Sequence, residues 1–160
     1  MLNKTTFVIP ALLLAMGTSP VFAAGEATTN IKISASIPTK LFHAQPRNPD
    51  FGKAEVMSYN PVSGMLSSLR ETFDVKNTEG SVHAYIEGGP ASLTNGTSSI
   101  ALTTSFNGKT LTAIPQEVVS DDASTPGTQV DLLISAAKPA DTQSGLYNAD
   151  FTVVFDAVSR

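Results

Sequence analysis

The residues with chemical potential are few and scattered. His43 and His83 are the only histidines, and the chain has no cysteine. A closed zinc site takes four nitrogen or sulfur ligands, which two distant histidines do not supply, so solvated side chains are the default reading. Asp121-Asp122 lacks the Asp-x-Asp-x-Asp-Gly spacing of a calcium loop and reads as a charged turn. Ser63-Gly64 and Ser144-Gly145 lack the Gly-x-Ser-x-Gly elbow that exposes a nucleophilic serine. No two carboxylates are spaced so that they can be argued to flank a glycosidic bond. Asn95-Gly96-Thr97 fits a glycosylation sequon but reads as just a turn. Arg70 lies opposite an apolar strand face, where it is either a glycan or phosphate contact or an ordinary exposed arginine. The expectation is a protein that is not an enzyme, with no catalytic residue, metal or cofactor.

Composition narrows the partners. The 160 residues carry 10 Lys and Arg against 14 Asp and Glu. No basic cluster is present, so nucleic acid is not an expected partner. Ser, Thr, Gly, Asn and Ala are common, as in extended strands joined by turns. Without cysteine, thiol chemistry is excluded, and so is the disulfide framework on which small secreted domains often depend.

Export is nevertheless what the N-terminus announces. Lys4 lies in a short polar segment, Phe7–Met16 is apolar, and Gly17-Thr18-Ser19-Pro20 ends the run. Val21 and Ala23 then occupy the −3 and −1 positions of a cleavage site between Ala23 and Ala24. The apolar run is about ten residues, too short to span a bilayer as a helix. An uncleaved anchor or buried helix is the alternative. Residues 1–23 are therefore expected to be a signal peptide, and the chain left after cleavage to be one domain.

Just behind that segment, Asn30-Ile31-Lys32-Ile33-Ser34-Ala35-Ser36-Ile37-Pro38 alternates. Ile31, Ile33, Ala35 and Ile37 share one face; Lys32, Ser34 and Ser36 share the other. Such a strand at the free end of an exported β-protein is suited to insertion into a neighbouring subunit. The alternative is an ordinary first strand of its own domain. Residues 24–37 are expected to be this donor extension and residues 38–160 the folded domain.

The rest reads as short strands. Pro38–Gly52 is a connector with one short strand near Lys40–His43. Strand candidates follow at Ala54–Tyr59, Leu66–Val75 and Val82–Ile86, then Ile100–Phe106, Lys109–Ile114 and Val130–Ile134. Asn107-Gly108 is a two-residue hairpin signal. Val118–Gly127 reads as a polar loop. No amphipathic helix is evident, and the pattern predicts an antiparallel immunoglobulin-like sandwich. In the last candidate strand Tyr147, Ala149, Phe151, Val153 and Phe155 share a face, and only a few residues follow it. If this is the penultimate strand of the sandwich, the fold is one strand short. An apolar groove and an unpaired edge are then left open, and these residues form an acceptor edge.

Several segments together resemble the major pilins of alternate-chaperone (class 5) fimbriae, the family of colonisation-factor and cable pilins. They are Asn30–Ile37, Ser58-Tyr59-Asn60-Pro61 with Ser63, Leu69-Arg70, Leu133–Lys138 and Ser144–Phe155. The similarity runs in order through most of the chain after Ala23; Pro38–Gly52 matches poorly. The resemblance implies an incomplete immunoglobulin-like domain, completed by the N-terminal strand of a neighbouring identical subunit in a homopolymer. It implies a periplasmic chaperone, an outer-membrane usher and a tip adhesin as partners, and a surface fimbrium that mediates adhesion. A monomeric secreted sandwich that binds carbohydrate or a host surface is the competing reading. It is weakened by the absence of Trp and the dispersal of Tyr59, Tyr85 and Tyr147.

Overall fold

Residues 41–160 are described by the computed structural model. The expected signal segment, the expected cleavage site at Ala23 and Ala24, and the alternating segment with Ile31, Ile33, Ala35 and Ile37 lie outside the described residues.

Eleven strands and one helical turn follow one another: β1 (Phe42–Pro46), β2 (Tyr59–Asn60), β3 (Met65–Leu66), β4 (Leu69–Asn77), β5 (Gly80–Ile86), β6 (Ser92–Thr94), β7 (Ser99–Phe106), β8 (Lys109–Thr110), β9 (Gln116–Val119), α1 (Asp121–Ser124), β10 (Thr128–Ala136) and β11 (Val153–Ser159). They form two facing sheets and a small hairpin. The larger sheet has the order β1-β4-β10-β7-β6, with β8 also paired to β7; the smaller is β11-β5-β9; β2 and β3 pair alone. Every named pairing is antiparallel. The all-β antiparallel architecture expected from alternation is therefore present.

Alternation decides the core. Along β4, Phe73, Val75 and Asn77 are buried between partly exposed neighbours; along β5, so are Val82, Ala84 and Ile86; along β10, so are Val130, Leu132 and Ile134. Phe106 and Leu111 fill the space between the sheets. Phe73 and Phe106 meet edge to face with ring centroids 5.4 Å apart, a favoured aromatic arrangement.

The sandwich has two distinct ends. At one, the β4–β5 turn at Asn77–Gly80 meets Arg160, whose N–H donates to the Glu79 carbonyl oxygen. The Thr78 N–H donates to the carbonyl oxygen of Leu41, so the described chain begins at this end. At the other lie the start of β4 at Leu69, the β2–β3 hairpin and the turn after Ile86.

Four segments differ from the sequence reading. Ala54–Met57 is not strand, and only Tyr59–Asn60 pairs there. The return strand after Asn107-Gly108 stops at Thr110, although the hairpin itself forms, with φ of 50° at Asn107 and 74° at Gly108. The expected polar loop from Val118 contains the end of β9, where Val118 and Val119 are both 1% exposed. The pairing of β5 with β9 is irregular between Val82 and His83, and two adjacent valines can both be covered there. Last, Tyr147–Phe155 is not one strand. Asn148 forms an isolated bridge with Thr94 of the larger sheet, whereas β11 begins at Val153 and pairs with β5 in the smaller one.

Candidate functional site: an open flank between the sheets

The two flanks of the sandwich are closed unequally. On the side of β9, Val118, Val119 and Leu111 are each 1% exposed. The Asn107 amide donates to the Val118 carbonyl oxygen at 2.7 Å and ties β9 to the end of β7. That flank is sealed.

The opposite flank runs between β1 and β11, the edge strands beside β4 and β5. In β11, Val153, Phe155 and Ala157 stand opposite Ile86, Ala84 and Val82. The β5 residues are at most 1% exposed. Their β11 partners are only partly buried at Val153 and Phe155, and Ala157 is exposed. The same step occurs in the other sheet: Val75 is buried, while Ala44 opposite it in β1 is half-buried. An inward-facing row that loses cover at the edge strand lacks a neighbour on its far side among the described residues. Phe155 is the largest group left in this state on β11. Its ring lies 4.8 Å from that of Phe106 and 5.7 Å from that of Phe73, so one side is in the core and the other borders the opening. The outer edge of β11 has no strand paired to it among the described residues, and this leaves backbone groups available for a ladder.

Of the five expected acceptor residues, Val153 and Phe155 lie on this flank. Phe151 packs half-buried against the core just ahead of β11. Tyr147 and Ala149 do not lie in β11: they flank Asn148, which pairs with Thr94, and the Tyr147 hydroxyl is 2.6 Å from the Ser98 hydroxyl. Ala157, which sequence reading left out, completes the inward row of β11. Its signal was the unbroken alternation Val153-x-Phe155-x-Ala157.

The far end of β11 is clamped. The Arg160 guanidinium donates to both carboxylate oxygens of Asp121 and, at 3.0 Å, to the Thr125 hydroxyl. Arg160 beside it holds the Asp121 carboxyl below the ordinary carboxylate range.

The residues considered for chemistry stay apart. His43 lies in β1 and His83 in β5, in different sheets, and no group of three or more metal-ligating side chains occurs among the described residues. Arg70 is paired with Asp131 at 2.7 Å on the outer face of the larger sheet, where the Thr72 hydroxyl donates to the same carboxylate. The Asn95 side-chain oxygen accepts from the N–H groups of Thr97 and Ser98, so the sequon is a self-contained turn. Ser63 lies in the β2–β3 turn and Ser144 in the loop before β11, each without a neighbouring histidine in hydrogen-bond contact among the described residues.

A two-sheet antiparallel sandwich whose distinguishing surface is an uncovered flank, rather than a catalytic cluster, has the fold of a pilin subunit. It is similar to the CooA pilin subunit from enterotoxigenic Escherichia coli, with a TM-score of 0.52 and 16% identity over 62% of this chain and 75% of that one. At that identity the likeness concerns the fold. Membership comes from the sequence: over residues 27–156 the chain matches the CS1 type fimbrial major subunit family, and it belongs to that family. No curated protein sequence matches it closely. The chain is thus a fimbrial subunit, a structural component of a surface fimbrium and not a member of an enzyme class.

Proposed function

We propose that the chain polymerises by donor-strand complementation, the alternating strand of residues 24–37 in one subunit filling the open flank of the next. The observation that carries this reading is the burial step between β5 and β11. Val82, Ala84 and Ile86 are sealed, while Ala157, Phe155 and Val153 opposite them are not. Val153, Phe155 and Ala157 are the acceptor row, with Phe151 beside it. Ile31, Ile33 and Ile37 each contribute on the order of 1.5–3 kcal/mol when buried there. Ladder hydrogen bonds add about 0.5–1.5 kcal/mol apiece. Ala35 needs only a shallow pocket, and Pro38, lacking an N–H, ends the ladder.

Export follows cleavage between Ala23 and Ala24. A periplasmic chaperone covers the flank before assembly, an outer-membrane usher exchanges it for the donor strand, and a tip adhesin caps the fibre, which carries adhesion. The family resemblance supports these partners, and an open flank that needs covering in transit supports the chaperone in particular.

Moving residues 24–37 to follow Arg160 through a short flexible linker tests the reading. β11 ends at Ser159, and an antiparallel donor beside it starts at that same end, so a short linker reaches. This version should be a heat-resistant monomer, because the strand acts at a high effective concentration. The domain lacking residues 24–37 should aggregate. If that truncated domain is monomeric and melts as high as the self-complemented one, the sandwich is complete without a donor and the polymer reading fails.

A further inference from the structure

Large apolar side chains exposed among the described residues are unevenly placed. Val56, Tyr59, Val62, Met65, Ile114 and Leu146 all lie at the Leu69 end, and only Leu41 and Val158 lie at the other. The registers fix the assignment. Tyr59 and Met65 belong to the β2–β3 hairpin, which leads directly into Leu69, and Val56 lies two residues before Ser58, whose carbonyl oxygen accepts from the Ser67 N–H. The Thr112 carbonyl oxygen accepts from the N–H of Ile86, at the end of β5 nearest Leu69, which places Ile114 there. Leu146 precedes Asn148, which pairs with Thr94, and Thr94 pairs with Ser99 at the start of β7. Single exposed apolar residues need no explanation, but six gathered at one end do.

The most exposed of them sits on a fixed turn. Val62 is 96% exposed at the tip of the hairpin. The Asn60 side-chain oxygen accepts from the N–H of Val62 at 2.9 Å and of Ser63 at 3.2 Å, and its main-chain oxygen accepts from Gly64 at 2.8 Å. Gly64 takes φ of 68°, which closes the turn. A rigid turn that presents Pro61-Val62 between Tyr59 and Met65 loses little conformational entropy on docking.

Chain length says what docks there. The inference rests on the donor-strand reading. A donor antiparallel to β11, as every pairing in this domain is antiparallel, runs towards Val153 and finishes at the Leu69 end of the acceptor. Three residues then separate Ile37 from Leu41, a span of four steps and at most about 14 Å. Leu41 is bonded to Thr78 at the Asn77 end of its own domain. We infer that the β2–β3 hairpin end of each subunit packs against the Leu41–Thr78 end of the subunit that donates to it. Val62 and its apolar neighbours form an end-to-end contact between consecutive copies, in addition to the inserted strand.

Hydroxyl-radical footprinting of intact fibres, with heat-dissociated subunits as the reference, tests it without altering the chain. Tyr59 and Met65 should react several-fold more slowly in fibres. Because the chain has no cysteine, a Val62→Cys, Leu41→Cys variant then identifies the occupant. Its fibres, boiled without reductant, should give a ladder of covalent multimers that neither single variant gives. Fibres in which Tyr59 and Met65 react as freely as exposed side chains overturn the inference and leave donor-strand assembly intact. Protection without a ladder overturns it too, because another surface then covers the hairpin. Failure of the unaltered chain to form fibres overturns the polymer reading itself, and this contact with it.

Discussion

The backbone of Val158 passes so close over Gly80 that a Cβ at position 80 would overlap the Val158 carbonyl oxygen, with Arg160 N and Ser159 C at about van der Waals contact or less behind it. Glycine at the start of β5 lets the last strand lie down at the end of the smaller sheet. Gly80→Ala should lift the end of β11 and destabilise the domain by about 1–3 kcal/mol, as overpacking does. Thermal melting of the self-complemented monomer reads this directly. An unchanged melting temperature would mean that β11 sits elsewhere.

Phe155 should be the most sensitive side chain of the open flank. Phe155→Ala removes a ring that touches both Phe73 and Phe106. Burial of such a ring is lost at a cost of about 3–5 kcal/mol when it is fully enclosed. The half-buried ring should fall at or below the lower limit in a subunit with an empty flank and approach the upper one when a donor strand covers it. Melting both forms of the variant separates the two values. Equal losses would show that the donor never covers Phe155.

Ile33→Asp should abolish fibres while leaving the chaperone-bound subunit soluble, because a carboxylate driven into an apolar groove costs upwards of about 2 kcal/mol. Lys32→Asp, one residue earlier and on the outer face, should assemble normally. Electron microscopy of cells expressing each variant compares them, and equal fibres from Ile33→Asp would end the assignment of residues 24–37.

The Asp121–Arg160 clamp predicts a pH dependence of definite sign. Its hydrogen bonds with Arg160 hold the Asp121 carboxyl below its ordinary value of 3.8. The unfolded chain therefore binds the proton more readily, and the clamp stabilises the fold above that value and fades as pH falls through it and below. Both side chains are solvent-accessible, so the effect is small and weakened by salt. Asp121→Asn should lower the melting temperature slightly at neutral pH, and the offset should be smaller at about pH 3, below the ordinary carboxyl value. A constant offset at both pH values would assign the effect to packing.

Surface-extracted protein should begin at Ala24. Val21 and Ala23 carry that expectation. N-terminal sequencing decides it, and a start beyond Asn30 would remove part of the donor strand.

Period-two alternation was legible wherever a strand has one face in the core. β5, β7 and β10 lie where the alternation of Val82, Ile100 and Val130 places them. Asn107-Gly108 was legible because positive φ at both positions is a local demand that few residue pairs meet. What alternation does not specify is which sheet a segment joins. Tyr147–Phe155 keeps one rhythm, yet Asn148 pairs with the larger sheet and Val153 onward with the smaller. Nor does it reveal strands that break the rhythm: Val118 and Val119 are neighbours and both are sealed. The flank beside β11 borders the last apolar strand that the alternation marks. Its limits at Val153, Phe155 and Ala157 needed the register with β5.

The double attachment of the chain's last segment has a mechanical meaning. Asn148 holds it to the larger sheet, the seven residues of β11 hold it to the smaller, and Arg160 pins its end to Asp121. A pull along β11 strains its ladder bonds in parallel, so that they must fail together and cannot open one after another. Whatever is stretched against this strand is therefore anchored to both layers at once, and the domain resists tension as a unit before either layer can peel from the other.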